Sequence, residues 1–214
     1  MASRPLEPKV TVARGYDAIA EGYLRWRGDL SREGRDLRYF DSLTEGLPDG
    51  SRVLDLGCGA GVPYTAHVSE RFATVGVDIS RGQLALARRR VAGASFLLAD
   101  MCSLQFRAGS FDAIAAFYSI IHVPREEHET LFRRIRDWLR PGGRLLVVLG
   151  ANDWEGTEHD WLGLGAEMWW SHFDAETSRS LVERAGFAVI EANIEPDVGT
   201  GEGAHLFVLA EKPS

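Results

Sequence analysis

The sequence predicts an α/β protein built on a doubly wound, largely parallel sheet, and three observations carry that prediction. Short apolar segments alternate with helical patterns from Arg52 onward, the order expected of strand–helix–strand units. The first apolar segment runs straight into a turn with glycines at 57, 59 and 61. The 214 residues are 45% hydrophobic and 26% charged, enough to bury a full core in one domain.

Taken in order, the first nine residues are polar and proline-bearing and are expected to fray. Residues 10–47 read as a helical amino-terminal segment. Arg52 to Leu56 is short and apolar, and it is bounded by Pro48-Asp49-Gly50 before and glycine after. That is the pattern of a strand covered on both faces. The following glycines allow positive φ and bring bare backbone close to a ligand. Helical pattern resumes near Val62. Strands are expected at Thr74 to Asp78, Ala94 to Ala99, Phe111 to Phe117 and Leu145 to Leu149. Before the last of these, Leu131, Phe132, Ile135, Trp138 and Leu139 form a helical apolar stripe, and Arg140-Pro141-Gly142-Gly143 breaks the chain. Asp174 is the expected N-cap of a helix to Ala185 with Gly186 as its C-cap, followed by strands Phe187 to Ile194 and Ala204 to Ala210.

The glycine spacing narrows the ligand. A dinucleotide fingerprint counted from Gly57 needs a third glycine at 62, where Val62 stands, and a phosphate-cradling loop needs Gly-Lys-Ser/Thr, which is absent. Asp55, Gly57, Gly59 and Gly61 instead match, position for position, motif I of the class I S-adenosylmethionine-dependent methyltransferases, and the chain resembles small-molecule members of that family. The resemblance covers Arg52 to Gly150. It implies a Rossmann-like seven-stranded sheet of order 3-2-1-4-5-7-6 with one antiparallel strand, and S-adenosyl-L-methionine as cofactor. Asp55, Gly57, Cys58, Gly59 and Gly61 would then form the methionine-side turn, and Asp78 with Ile79 the ribose site. Asp78 also fits a helix-start acid, since Ser80-Arg81-Gly82-Gln83 reads as a capping box. Asp100 and Met101 would meet the adenine, and Phe117 ends the fourth strand beside the cofactor.

Acceptor residues are expected outside the carboxyl ends of the strands. Tyr118, Ser119 and His122 follow strand four. His122 suits proton removal near neutral pH, and it also suits shaping the pocket. The segment around Tyr16 and Tyr23 resembles the tyrosine-bearing helix that closes over the cofactor in the family; Tyr16 joins His122 as a candidate catalytic residue, and Tyr23 is a substrate-side candidate. A second lid is expected at 151–173, where Trp154, Trp161, Trp169 and Trp170 interleave with acids. Its substrate-side candidates are Trp169, Trp170 and His172, with a structural flap or dimer contact as the competing reading. Residues 174–212 would complete the domain.

Net charge is −7 with no basic run longer than three residues, which argues against nucleic acid as a partner. No apolar run reaches membrane length, and two cysteines without a signal peptide point to a reducing, cytoplasmic setting. The residues after strand four are not acids, and no metal is expected. The expected function is methyl transfer to oxygen, less readily nitrogen, of a small molecule or peptide terminus by a monomer or homodimer. The competing readings are a non-catalytic S-adenosylmethionine-binding module and an NAD-dependent oxidoreductase.

Overall fold

The structure, a computed structural model, describes residues 7–30, 34–197 and 203–214. Helices α1 (Pro8–Leu30) and α2 (Arg35–Thr44) precede the sheet. The core then alternates β1 (Arg52–Leu56), α3 (Tyr64–Ser69), β2 (Ala73–Asp78), α4 (Arg81–Arg90), β3 (Ala94–Leu98), β4 (Phe111–Ala116), α5 (His128–Trp138) and β5 (Leu139–Gly150). A hairpin, β6 (Trp154–Glu158) and β7 (Met168–His172), follows, then α6 (Ala175–Arg184), β8 (Ala188–Pro196) and β9 (Ala204–Glu211).

The main sheet has seven strands in the order β3-β2-β1-β4-β5-β9-β8, which is 3-2-1-4-5-7-6 when the hairpin is left out of the count. The pairs from β3 through β5 are parallel, and β9 runs antiparallel to both β5 and β8. Strand alternation divides the core between two layers: Leu54, Leu56, Ile114 and Val147 pack with α5 and α6, while Val53, Ala113, Ala115 and Val148 pack with α2. Both faces are covered, which is why these strands read as continuous apolar runs.

Several boundaries differ from the sequence expectation. Pro8 and Lys9 are not frayed: they open α1, and Lys9 pairs with Asp100 at 2.9 Å and Glu127 at 2.7 Å. Residues 1–6 lie outside the described residues. The first core helix starts at Tyr64, after Pro63, and α5 ends at Trp138. Leu139 already pairs with Phe111 in the sheet, and the next pair is Ala113 with Arg144, so Arg140–Gly143 bulges out of β5 between them. Gly142, at φ 71°, makes that excursion possible. The 151–173 segment folds as a two-stranded hairpin whose Trp161, Ala166 and Met168 are buried against Val12 and Ile19 of α1. Its acids do not prevent this, because they lie at the rim, where Asp153 and Glu155 pair with Arg125.

Candidate active site

The carboxyl ends of β1, β2 and β4 open beneath α1 onto a cleft with about 980 Å³ of empty space, its mouth included. That is the size range of small-molecule and cofactor sites. Its floor is made of main chain. The amides of Gly57 and Cys58 both donate to Val77 O, at 2.7 and 2.9 Å, tying the turn to the end of β2. Gly57 is at φ 78°, and a Cβ there would fall inside the Ser119 side chain. Ser119 in turn donates to Leu56 O at 2.7 Å. Glycine at 57 is therefore required twice, by conformation and by space.

Asp78 closes this floor. Its carboxylate accepts from Gly59 N–H and Ser80 N–H, both at 2.8 Å, and Ser80 also caps α4 through Gln83 N–H. The ligand and capping readings of this segment thus fall to different residues. Burial lifts Asp78 to about 6 against those two stabilising bonds. Asp55 does not line the cleft. It lies behind the turn, where its Oδ2 accepts from the Thr65 hydroxyl at 2.6 Å, and burial lifts it also to about 6. Gly61 likewise misses the cleft and packs against Val91 and Ala87. Cys58 lines it with a thiol raised well above the ordinary range by burial, so it is a protonated, inert wall.

Ile79, Asp100, Met101 and Phe117 line the cleft as the resemblance implies. Asp100 accepts from Cys102 N–H at 2.9 Å and from Lys9 at 2.9 Å. Gln83 also faces the cleft; it is 1% exposed, and among the described residues neither its amide oxygen nor its amide nitrogen has a partner. A buried amide without partners is costly unless a ligand supplies them, so Gln83 and the bare glycine turn both fit a bound polar nucleoside.

The roof is made of side chains. Tyr16 and Tyr23 reach in from α1, and the Tyr16 hydroxyl lies 2.9 Å from His122 Nε2. His122 Nδ1 is 2.6 Å from Trp169 O. A carbonyl can only accept, so Nδ1 carries the proton, Nε2 holds the lone pair, and Tyr16 donates to it. Burial lowers His122 to about 4 and raises Tyr16 well above its usual value. Tyr118, at φ 54°, and Ser119 complete the wall.

Trp169, Trp170 and His172 do not line the cleft. Trp169 acts through its carbonyl, and Trp170 backs the His122 ring with centroids 4.3 Å apart. His172 points elsewhere, donating from Nδ1 to Asn152 O at 2.5 Å. The sequence reading missed Lys9, Tyr64 and Gln83, which line the cleft together with Arg27. Lys9, Tyr16, Tyr23 and Arg27 share one stripe of α1, a signal that helical spacing could have revealed.

The fold and this floor define an α/β protein with a cleft fitted to a nucleoside. Residues 53–143 match the family model described as a methyltransferase domain. The chain is 37% identical over 155 residues to the methyltransferase GfsG of Streptomyces halstedii, covering 66% of this chain and 54% of the relative. It is 37% identical over 152 residues to a trans-aconitate 2-methyltransferase of Variovorax paradoxus, covering 70% of this chain and 56% of the relative. The chain thus spans little more than half the length of these relatives. Among solved structures, the [4+2]-cyclase SpnF superposes with a TM-score of 0.72 at 20% identity, covering 98% of both chains, a likeness of fold. These matches support a place for the chain in the class I S-adenosylmethionine-dependent methyltransferase family. Members of this family use S-adenosylmethionine.

Proposed function

We propose that this chain transfers a methyl group from S-adenosylmethionine to an oxygen, in preference to a nitrogen, of a small molecule or peptide terminus, without a metal ion. The observation that carries the reading is the Tyr16–His122 pair, which lines the same cleft as the glycine turn. In this reading Gly57 and Gly59 meet the methionine part, Asp78 accepts from the ribose hydroxyls, and Asp100 with Met101 meets the adenine. Gln83 supplies further hydrogen bonds to the nucleoside.

When bound, the cofactor brings an already activated methyl group, so what remains is to align an acceptor lone pair in a site closed to water. Tyr16 and His122 do the aligning. A proton leaving the acceptor would pass to the Tyr16 oxygen as the Tyr16 proton moves to His122 Nε2. With His122 lowered to about 4, the pair is a weak base. It suits an acceptor that is already ionised and needs orientation. Among the described residues no three His, Cys, Asp or Glu side chains converge as a metal site, and none is invoked.

Calorimetric titration with S-adenosylhomocysteine tests the cofactor half. Wild type should bind, and Asp78→Ala should bind about 100-fold more weakly, the loss of two hydrogen bonds to a charged group. No binding by wild type sinks the reading. NADH should leave the tryptophan fluorescence unchanged, since Val62 stands where a dinucleotide turn needs glycine. Tyr16→Phe should keep the S-adenosylhomocysteine affinity and slow methyl transfer to a metabolite extract by about 10-fold or more; equal turnover removes the pair from the reaction.

A further inference from the structure

The α1 residues that reach the cleft are Lys9, Val12, Tyr16, Tyr23, Leu24 and Arg27. At 1.5 Å per residue, Lys9 and Arg27 stand about 27 Å apart along the helix. Lys9 marks the Asp100 end, so Arg27 marks the opposite end, beyond Tyr16 and Tyr23.

Arg27 is a cation in a largely apolar cleft, its side chain 13% exposed. It donates through Nη2 to the Tyr64 hydroxyl at 2.6 Å, and its guanidinium stacks on the Tyr118 ring at 4.3 Å. Among the described residues, the acid that pairs with it is Asp36, at 3.5 Å. Asp36 is shared: it lies 3.0 Å from Arg35 and accepts the Tyr64 hydroxyl at 2.6 Å. One carboxylate thus faces two guanidinium groups. Among the described residues, Glu195 accepts from the Tyr39 hydroxyl and acts on Arg35 through its charge, and Asp197 pairs with His205. A buried guanidinium that shares its acid with a second guanidinium is matched by a planar anion.

The charge of Arg27 also opposes the rise of the Tyr16 and Tyr23 pKa values, which places it in the same compartment as the Tyr16–His122 pair. An anion held at Arg27 would present the rest of its molecule to that pair. We propose that Arg27 anchors a carboxylate of the methyl acceptor. This rests on the methyl-transfer reading and narrows its substrate class to carboxylic acids.

The probes are benzoate, an apolar ring with one carboxylate, and its neutral isostere benzamide. Binding is followed by saturation-transfer NMR on the protein with and without S-adenosylhomocysteine. Benzoate should bind wild type at least about 10-fold more tightly than benzamide, Arg27→Gln should erase the difference, and Arg27→Lys should keep part of it. Equal binding of the two probes by wild type, or an unchanged preference in Arg27→Gln, overturns the proposal. If Arg27→Gln does not fold, the wild-type preference and its reduction in Arg27→Lys decide.

A second pair of ligands identifies the source of the carboxylate. S-adenosylhomocysteine carries an amino-acid carboxylate and 5′-methylthioadenosine does not. Arg27→Gln should leave the affinity for both unchanged. A selective loss for S-adenosylhomocysteine assigns Arg27 to the cofactor and overturns the proposal. Failure of wild type to bind S-adenosylhomocysteine, with the benzoate preference intact, removes the methyl-transfer reading and the acceptor role with it, leaving an anion site. Loss of the benzoate preference with S-adenosylhomocysteine binding intact removes the proposal alone.

Discussion

In the floor of the cleft, Asp78 is held by two backbone N–H groups, one from Gly59 and one from Ser80, and the turn is tied to Val77 O. In the roof, Tyr16 meets His122 across 106 positions of sequence, His122 meets the Trp169 carbonyl across 47, and Arg27 meets Tyr64 across 37. The floor is a property of strand ends and their glycines, fixed wherever the sheet forms. The roof exists only when α1 and the β6–β7 hairpin dock together through Val12, Ile19, Trp161 and Met168. The difference teaches that the two halves should fail separately: floor lesions remove the cofactor, and roof lesions remove what is done with it.

The sharpest break of that comparison is Gly57→Ala. A left-handed alanine, with its Cβ driven into Ser119, should cost about 5 kcal/mol in total, and urea titration should show it together with loss of S-adenosylhomocysteine binding. Retained binding would show that the floor tolerates a side chain.

Trp161→Ala is the corresponding lesion in the roof. Trp161 is 5% exposed, with ring centroids 5.4 to 5.7 Å from Tyr16, Tyr23 and Trp170. Its removal should cost about 4 kcal/mol. Hydrogen exchange should speed up in β6, β7 and α1 while β1 and β2 stay protected. Uniform loss of protection would show one cooperative unit instead of two.

The smallest expected effect lies behind the floor. Asp55 is lifted from 3.8 to about 6 by burial, so the folded protein holds that proton more tightly than the unfolded chain. Its contribution is complete below pH 4 and is lost as pH rises through about 6. The stability of wild type relative to Asp55→Asn should therefore fall by about 2 kcal/mol between pH 4 and pH 7. His122 shifts in the opposite direction, is present in wild type and variant and cancels in the difference, whereas Asp78 shifts in the same direction and its charge adds to the rise of Asp55. A difference that is flat with pH would place Asp55 in contact with water.

Legibility followed the same division. The strand ends, the glycines at 57 and 59, Asp78, Asp100 and Met101 could all be read because each belongs to a short segment whose spacing reports its own geometry. Asp55 and Gly61 belong to the same motif yet face away from the cleft, since residues that secure a turn share its spacing with those that present it. In the roof, Tyr16 and His122 were named singly, but nothing local to either announces the other. Trp169, Trp170 and His172 were read as pocket residues because aromatic density is visible in sequence, whereas strand alternation, which sends Trp169 and Trp170 to opposite faces of β7, acts only once the hairpin has its register.

The sequence by itself determined the strands and the turn on which a nucleoside can lie, because apolar periodicity and glycine conformation are local consequences of residue type; the order of the sheet was implied by the family resemblance that the motifs carry. Only the tertiary structure decided that Arg27 is a buried cation on the cleft, that Lys9 reaches Asp100, and that Tyr16 donates to His122. Those contacts depend on where a docked helix sets its stripe against strands far away in the chain, and no spacing along a one-dimensional sequence records that distance.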